Sequence, residues 1–134
     1  MPKITKKDLL KETVKHVDIK KLNASPLIEA YSKMSFSSRD LARAAEIYNK
    51  MLADKKASVW LILAGSTSAG GCMDAYADMV RNNMIDVVVA TGASIVDMDF
   101  FEALGFKHYK GTPFIDDGLL RSLYIDRIYD TFID

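Results

Sequence analysis

The sequence predicts an α/β fold in which helices flank a parallel sheet. Two short apolar segments rich in β-branched residues, Val59–Ala64 and Ile85–Ala90, each break at glycine and small hydroxyl residues before a helical pattern begins. The repeated order of strand, loop and helix is typical of consecutive βα units. Loops that follow parallel strands lie on one edge of the sheet, which is where ligands bind in open α/β folds. We therefore expect any small-molecule site at this edge.

Length and charge narrow the class of protein. The chain has 134 residues, 49% of them hydrophobic, which suits one domain with a core. Eighteen basic residues balance eighteen acidic ones, so the net charge favours neither nucleic acid nor an anionic membrane as a partner. No apolar run approaches the roughly 20 residues of a membrane span, and the N-terminus lacks the apolar core of a signal peptide. We expect a cytoplasmic protein, and the single cysteine, Cys72, fits a reducing compartment.

The first 35 residues are predicted to form a helical N-terminal extension, and residues 36–134 are predicted to form the domain that follows it. Apolar periodicity is weak from Asp8 to Val17, and a second helix can open at Ser25, where Pro26 takes the first helical position. A longer helix follows, with Ser37 predicted as its cap and Phe36 as a hydrophobic staple. Its predicted buried stripe consists of Leu41, Ala44, Ala45, Tyr48, Met51 and Leu52.

The strand Val59–Ala64 is apolar on both alternating faces, which predicts a central strand covered by helices on both sides. The loop after it contains Gly65, Ser66 and Thr67, whose small side chains let a ligand approach the backbone and whose hydroxyls can donate to it. The loop matches neither the G-x-G-x-x-G pattern nor a P-loop. A ligand-binding loop and a purely structural tight turn both remain open on this pattern.

The second unit repeats this organisation. Its helix is predicted to end at Asn82-Asn83, after burying Met73, Tyr76, Ala77 and Val80, with Asp78 elsewhere. The strand Ile85–Ala90 leads to a second small-residue loop, 91–94. Asp97 and Asp99 are placed at the next helix start, where a carboxylate either complements the helix dipole or accepts hydrogen bonds from ribose hydroxyls. Phe100, Phe101 and Leu104 are core candidates, and Gly105 is the predicted stop.

The last third of the chain predicts less regular structure. Residues 106–111 form a short edge-like strand, and His108 has no obvious partner, so we predict an exposed or packed histidine ahead of a general base. A turn-rich loop covers residues 112–118, and Leu119 to Asp134 suggest a helix with a strand-like end.

An ordered series of motifs resembles the deoxyhypusine synthase family from about Val17 onward. The series is Leu-Ala-Gly-Ser-Thr-Ser-Ala-Gly-Gly (63 to 71), Asn-Met-Ile-Asp-Val-Val-Val-Ala-Thr-Gly-Ala (83 to 93), His-Tyr-Lys-Gly (108 to 111), Asp-Asp-Gly-Leu-Leu-Arg (116 to 121) and Ile-Asp-Arg-Ile-Tyr-Asp (125 to 130). Asp18-Ile19 and the run from Arg39 to Tyr48 also match the family's N-terminal region.

The resemblance implies a Rossmann-like domain of which residues 36–134 are the N-terminal portion. It implies NAD as cofactor, spermidine as donor of an aminobutyl group, and a lysine of the eIF5A precursor as acceptor. Family members form homo-oligomers, usually homotetramers, with active sites between subunits. Carried over by position, the cofactor-binding residues are Gly65, Ser66, Thr67, Thr91, Gly92, Ala93 and Asp97.

Two departures from the family shape the expected function. Members are more than twice as long, and their catalytic lysine and polyamine pocket belong to a downstream half, so no catalytic residue and no metal ligand is assigned here. We expect a second polypeptide to carry that half. Both loops look closer to archaeal and bacterial deoxyhypusine synthase-like proteins, some of which make homospermidine or use other amines. The alternatives are therefore transfer to a small amine and a non-catalytic regulatory subunit.

Overall fold

The computed structural model describes residues 4–134, apart from the side chain of Asp97. It is a mixed α/β structure that contains a small parallel sheet of two strands with helices around it, which confirms the predicted class. The Rossmann-like extent of that sheet stays a prediction. No helix among the described residues is long and apolar enough to cross a membrane.

The described elements alternate between helices and short strands along most of the chain. The α-helices are α1 Lys6–Leu9, α2 Ser25–Ser32, α3 Phe36–Ala53, α4 Met73–Arg81, α5 Gly92–Ser94, α6 Phe101–Ala103 and α7 Asp117–Ser122. The strands are β1 Trp60–Leu63, β2 Val87–Ala90, β3 His108–Lys110, β4 Asp126–Ile128 and β5 Thr131–Ile133. The irregular turn Ser68–Cys72 precedes α4, the π-helical segment Ile95–Phe100 precedes α6, and Ile19–Lys21 is a 3-10 turn.

One compact unit comprises residues 4–17, Leu63–Asp74 and Ala90–Asp134. Its sheet is antiparallel with strand order β3-β5-β4, and His108 and Asp126 both stand opposite Ile133. The core consists of Leu120, Ile125 and Phe132, with Leu9, Leu10, Tyr109, Ile115 and Leu123 packed against it. The Phe132 ring lies directly on Gly111, where an added Cβ would come within 2.5 Å of it. Residue 111 is therefore restricted to glycine by packing.

The other unit comprises Asp18–Ile62 and Ala75–Val89. Helices α2 and α3 pack on each other, and the Tyr48 hydroxyl donates to the carbonyl of Met84 at 2.9 Å. Ahead of β1, the Val59 amide donates to the Asp86 carboxylate at 2.7 Å, while the Asp86 amide donates back to the Val59 carbonyl at 2.8 Å. These reciprocal bonds align the entries of β1 and β2.

The predicted covering of the sheet is wrong. β1 runs from Trp60 to Leu63, and the side chains of Trp60 and Ile62 are exposed, as are Val88 and Val89 of β2. An apolar run selects a strand, but it does not specify which elements pack over that strand. The covering was therefore not encoded in the local pattern.

The predicted helix over α3 is confirmed, but its start and its buried face differ. The N-cap position is Ser35, and Phe36 has φ +58° with an exposed ring, so neither the Ser37 cap nor the Phe36 staple forms. Leu41 and Leu52 are exposed, whereas Ala42 is buried and Ala45, Tyr48 and Met51 are half-buried. Because α3 packs against α2, its buried face is rotated from the predicted stripe.

Two helix ends are confirmed by their backbone conformation. Asn83 has φ +52° just after α4, and Gly105 has φ +103° just after α6. Such left-handed residues terminate helices, and glycine and asparagine adopt them at the lowest cost. Local side-chain chemistry was sufficient to predict both ends.

The core residues predicted between the helix ends at Asn83 and Gly105 are wrong. Phe100, Phe101 and Leu104 are exposed, whereas the apolar side chain of Met98 is fully buried. Residues 95–100 are π-helical, and a π-helix has more residues per turn than an α-helix, so the side chains that follow rotate out of the predicted phase. The C-terminal tail is partly as predicted: α7 ends at Ser122, and an unforeseen hairpin of β4 and β5 follows.

Asp78 is buried in α4, although the sequence pattern placed it away from the buried face. Its carboxylate lies 2.6 Å from the Lys20 ammonium and 3.2 Å from the Arg81 guanidinium. The hydrogen bond from Lys20, with a smaller contribution from Arg81, holds the pKa of Asp78 below its usual value of 3.8. The same bond raises the pKa of Lys20. An ion pair offsets the cost of burying this carboxylate.

We expect Asp78→Asn to lower stability at neutral pH and to flatten its dependence on pH. A depressed carboxyl pKa stabilises the fold above the unfolded value and loses that effect as pH falls through the folded value. The raised Lys20 pKa adds stability below its unfolded value of 10.5, which is lost as pH rises through the folded one. Urea unfolding at pH 3, 7 and 11 should show the largest difference from wild type at pH 7. Asp74→Asn, which alters an exposed carboxylate of the same helix, is the control. An equal loss at all three pH values would contradict the assignment.

Candidate functional site

The two small-residue loops that follow β1 and β2 lie side by side. The Ser94 hydroxyl donates to the carbonyl of Gly65 at 2.6 Å, and its oxygen lies 3.4 Å from the hydroxyl oxygen of Thr91. Ser94 itself is fully buried. One serine therefore joins the first loop to the start of the helical run after the second, as predicted for loops at the same edge of a parallel sheet.

In both loops, most of the residues assigned to cofactor binding are exposed to solvent. Five of the seven predicted residues are exposed and Ser66 is half-buried; the exposed ones are Gly65, Thr67, Thr91, Gly92 and Ala93. A Cβ added at Gly65 or Gly92 would meet no atom within 4 Å. The remaining predicted residue, Asp97, lies outside the described side chains. The backbone at Gly65 and Gly92 is therefore open to the approach of a ligand.

The first loop leads into the irregular turn Ser68–Cys72, in which Gly71 kinks the chain with φ +102° before α4 begins. The second loop leads into α5 and then into the π-helical segment Ile95–Phe100. The buried Ser68 hydroxyl has no hydrogen-bond partner among the described residues. Cys72 is half-buried and free.

The second loop is shorter than the sequence indicated. Thr91 is the N-cap residue in extended conformation, and α5 already begins at Gly92. Asp97 and Asp99 therefore lie inside the helical run and not at its start. Gly92 and Ala93 occupy the first turn, where backbone N–H groups lack partners within a helix and attract anions. Small residues in the first turn of a helix resemble loop residues in sequence, so the predicted loop was too long.

A buried cluster that the sequence did not predict lies on the same unit. Glu102 of α6 receives His16 Nε2 at 2.7 Å on one carboxylate oxygen and His108 Nδ1 at 3.1 Å on the other. The side chains of His16, Glu102 and His108 are only 11%, 7% and 4% exposed. His108 is therefore packed, as predicted, and Glu102 is the partner that the sequence did not reveal. Sequence separations of 86 and 6 residues left no local signal for the three-residue cluster.

Comparison with known proteins identifies a family and several relatives to which this chain is similar. The family model described as deoxyhypusine synthase matches residues 26–134. Over 134 residues, the chain is 64% identical to a deoxyhypusine synthase-like protein of Coxiella burnetii strain RSA 493 and 66% identical to one of Caulobacter vibrioides. Over 115 residues it is 39% identical to a probable deoxyhypusine synthase of Methanosarcina thermophila.

These matches cover nearly all of this chain and a limited part of each relative. The Coxiella and Caulobacter proteins are matched over 100% of this chain but over 38% and 36% of their own lengths. For the Methanosarcina protein the shares are 86% and 36%. The chain therefore spans little more than a third of the length of the curated relatives that it matches.

Proposed function

The chain belongs to the deoxyhypusine synthase family, and on that premise we propose that it supplies part of the NAD site of a transferase. The reaction is transfer of the aminobutyl group of spermidine to a lysine of the translation factor eIF5A. The observation that carries the proposal is the pair of exposed small-residue loops joined by the bond from Ser94 to Gly65. No catalytic residue is assigned to this chain.

The residues present fit a dinucleotide chemically. Open space at the Cβ positions of Gly65 and Gly92 lets an extended ligand approach both backbones. The hydroxyls of Ser66 and Thr91 can donate hydrogen bonds to phosphate and ribose oxygens. First-turn amides at Gly92 and Ala93 favour negative charge. When bound, NAD would accept a hydride from the amine substrate, and this chain's residues would hold and orient the cofactor.

The buried Ser68 hydroxyl adds a second reason to expect a polar ligand near the first loop. A buried hydroxyl without a partner is costly, and such groups are usually satisfied by protein, water or ligand. Asp97 was assigned to the ribose by position in the family, and that assignment stays part of the proposal.

We expect Gly92→Ala to weaken NAD binding without lowering stability. The added methyl group meets no protein atom within 4 Å, so the fold should accommodate it, but it occupies space next to the proposed cofactor backbone. Calorimetric titration of the purified protein with NAD should show about a tenfold rise in Kd. Ser122→Ala, an exposed change on α7, is the control and should bind like wild type. Unchanged affinity in Gly92→Ala would remove the second loop from the site.

A second candidate acceptor is a small amine in place of the protein lysine. The relatives at 64% and 66% identity are named deoxyhypusine synthase-like, whereas the relative named as a probable deoxyhypusine synthase is at 39%. Labelled spermidine offered to the natively purified protein with either eIF5A precursor or putrescine distinguishes the two acceptors. Label appearing in protein supports hypusine formation, and label appearing only in a longer polyamine supports the small-amine reaction.

A further inference from the structure

Residues 12–17 form a strap that runs along β3. Thr13 bridges to Tyr109 in antiparallel fashion, and the Val14 amide donates to the carbonyl of His108 at 2.8 Å. The Lys110 amide donates back to the carbonyl of Glu12 at 2.7 Å, and the side chains of these two residues form an ion pair. Because β3 already pairs with β5, the strap extends that sheet by a short fourth segment.

The C-terminal end of the strap contacts the segment that follows the first loop. The Val17 amide donates to the carbonyl of Gly71 at 2.9 Å. The Lys15 carbonyl oxygen lies 2.9 Å from the position that a Cβ on Gly71 would take. The backbone of the strap and the kink at Gly71 are therefore in direct contact, and glycine is needed there for both space and conformation.

The same strap reaches the helical run that follows the second loop. His16 lies between Lys15 and Val17, and its Nε2 bonds Glu102 of α6, which continues the helical run begun at Gly92. The other Glu102 oxygen bonds His108 of β3. Each oxygen of the Glu102 carboxylate therefore faces one imidazole nitrogen. One buried carboxylate thus links the strap, β3 and the second helical run.

We propose that His16 and Glu102 are positioning residues that hold the first and second loops at a fixed spacing for nucleotide binding. The ligand in this inference rests on the proposed function. The strap contacts the first helical start through Gly71 and the second helical run through Glu102, while Ser94 joins the loops directly. Loops held in the binding arrangement before the ligand arrives bind it with less loss of entropy. Removal of the His16 bond should loosen both loops at once.

Hydrogen exchange on the full purified chain tests this directly. Four amides report on the loops through bonds of their own: Gly70 to Ser66, Cys72 to Thr67, and Ser94 and Ile95 to Thr91. In His16→Ala these amides should exchange about tenfold faster, since local opening becomes easier. Lys15→Ala, which removes an exposed side chain of the same strap, should leave them unchanged. Faster exchange confined to residues 12–17 and 100–110 would overturn the proposal, because it would mean local packing only.

Two substitutions at Glu102 distinguish the loss of these hydrogen bonds from a general loss of folding. Glu102→Gln keeps one acceptor and gains a donor, so it can still bond both imidazoles if one changes tautomer. Glu102→Ala removes both bonds. We expect loop protection close to wild type in Glu102→Gln and reduced protection in Glu102→Ala. Equal protection in the two variants would overturn a role for the linking bonds.

NAD titration of the same variants separates this inference from the proposed function. If wild type binds NAD, His16→Ala should bind about tenfold more weakly while Lys15→Ala binds normally. If wild type binds no NAD, the proposed function fails, and the exchange experiment alone decides whether the strap positions the loops. Unchanged exchange in His16→Ala overturns the positioning role whatever the titration shows.

Discussion

Replacing Phe132 with alanine is expected to lower the free energy of unfolding by about 3–5 kcal/mol, the usual cost of removing a buried aromatic ring. Phe132 is 2% exposed and lies at the centre of the core with Leu120 and Ile125. It occupies β5, the middle strand of its sheet, opposite Tyr109 and Arg127. The cavity would open where two strand pairs and α7 depend on the same side chain. The loss is large against the roughly 5–15 kcal/mol that stabilise an ordinary domain.

Chemical denaturation of wild type and variant measures this change. Phe114→Ala is the matched control, because that ring is 93% exposed and should change the unfolding free energy by less than about 0.5 kcal/mol. If Phe132→Ala and Phe114→Ala had the same small effect, the assignment of β5 to the core would be wrong.

Gly71→Ala is expected to cost about 2–4 kcal/mol, the sum of backbone strain and overlap with neighbouring atoms. Gly71 has φ +102°, which a residue with a side chain rarely adopts. Its new methyl would also lie 2.9 Å from the Lys15 carbonyl oxygen, and backbone cannot withdraw as a flexible side chain does. Relief of the overlap would displace the strap and weaken the bond from Val17 to Gly71.

The adjacent glycine provides a control within the same segment. A Cβ at Gly70 meets nothing within 4 Å, and its φ is not in the left-handed region. Gly70→Ala should therefore change stability by less than about 0.5 kcal/mol in the same denaturation experiment. Destabilisation of both variants to the same extent would show that the strap is not the source of the effect at Gly71.

Several features of the fold were predictable because a few neighbouring residues determine them. The helix ends at Asn83 and Gly105 follow from the ease with which these residue types adopt positive φ. The two small-residue loops follow from apolar segments that break at glycine and hydroxyl residues. The family assignment followed from motifs in a fixed order and is confirmed by the match over residues 26–134.

Other features could not be predicted, because they depend on the phase of a helix or on what packs against an element. The π-helical segment Ile95–Phe100 shifted the buried position to Met98, away from the phenylalanines that an α-helical period selects. The burial of Asp78 depends on an ion pair with Lys20, which lies 58 residues earlier in the sequence. An acidic residue in an amphipathic helix otherwise indicates the solvent face.

The sequence by itself determined the α/β class, the two loops and their small side chains, since these depend on propensities within a few residues. Only the tertiary structure decided that Ser94 joins the loops, that His16 and His108 share Glu102, and that residues 12–17 close against Gly71. The physical reason is distance along the chain. Partners separated by 29 and 86 residues leave no periodic pattern, and their pairing exists only after the backbone has brought them within hydrogen-bond reach.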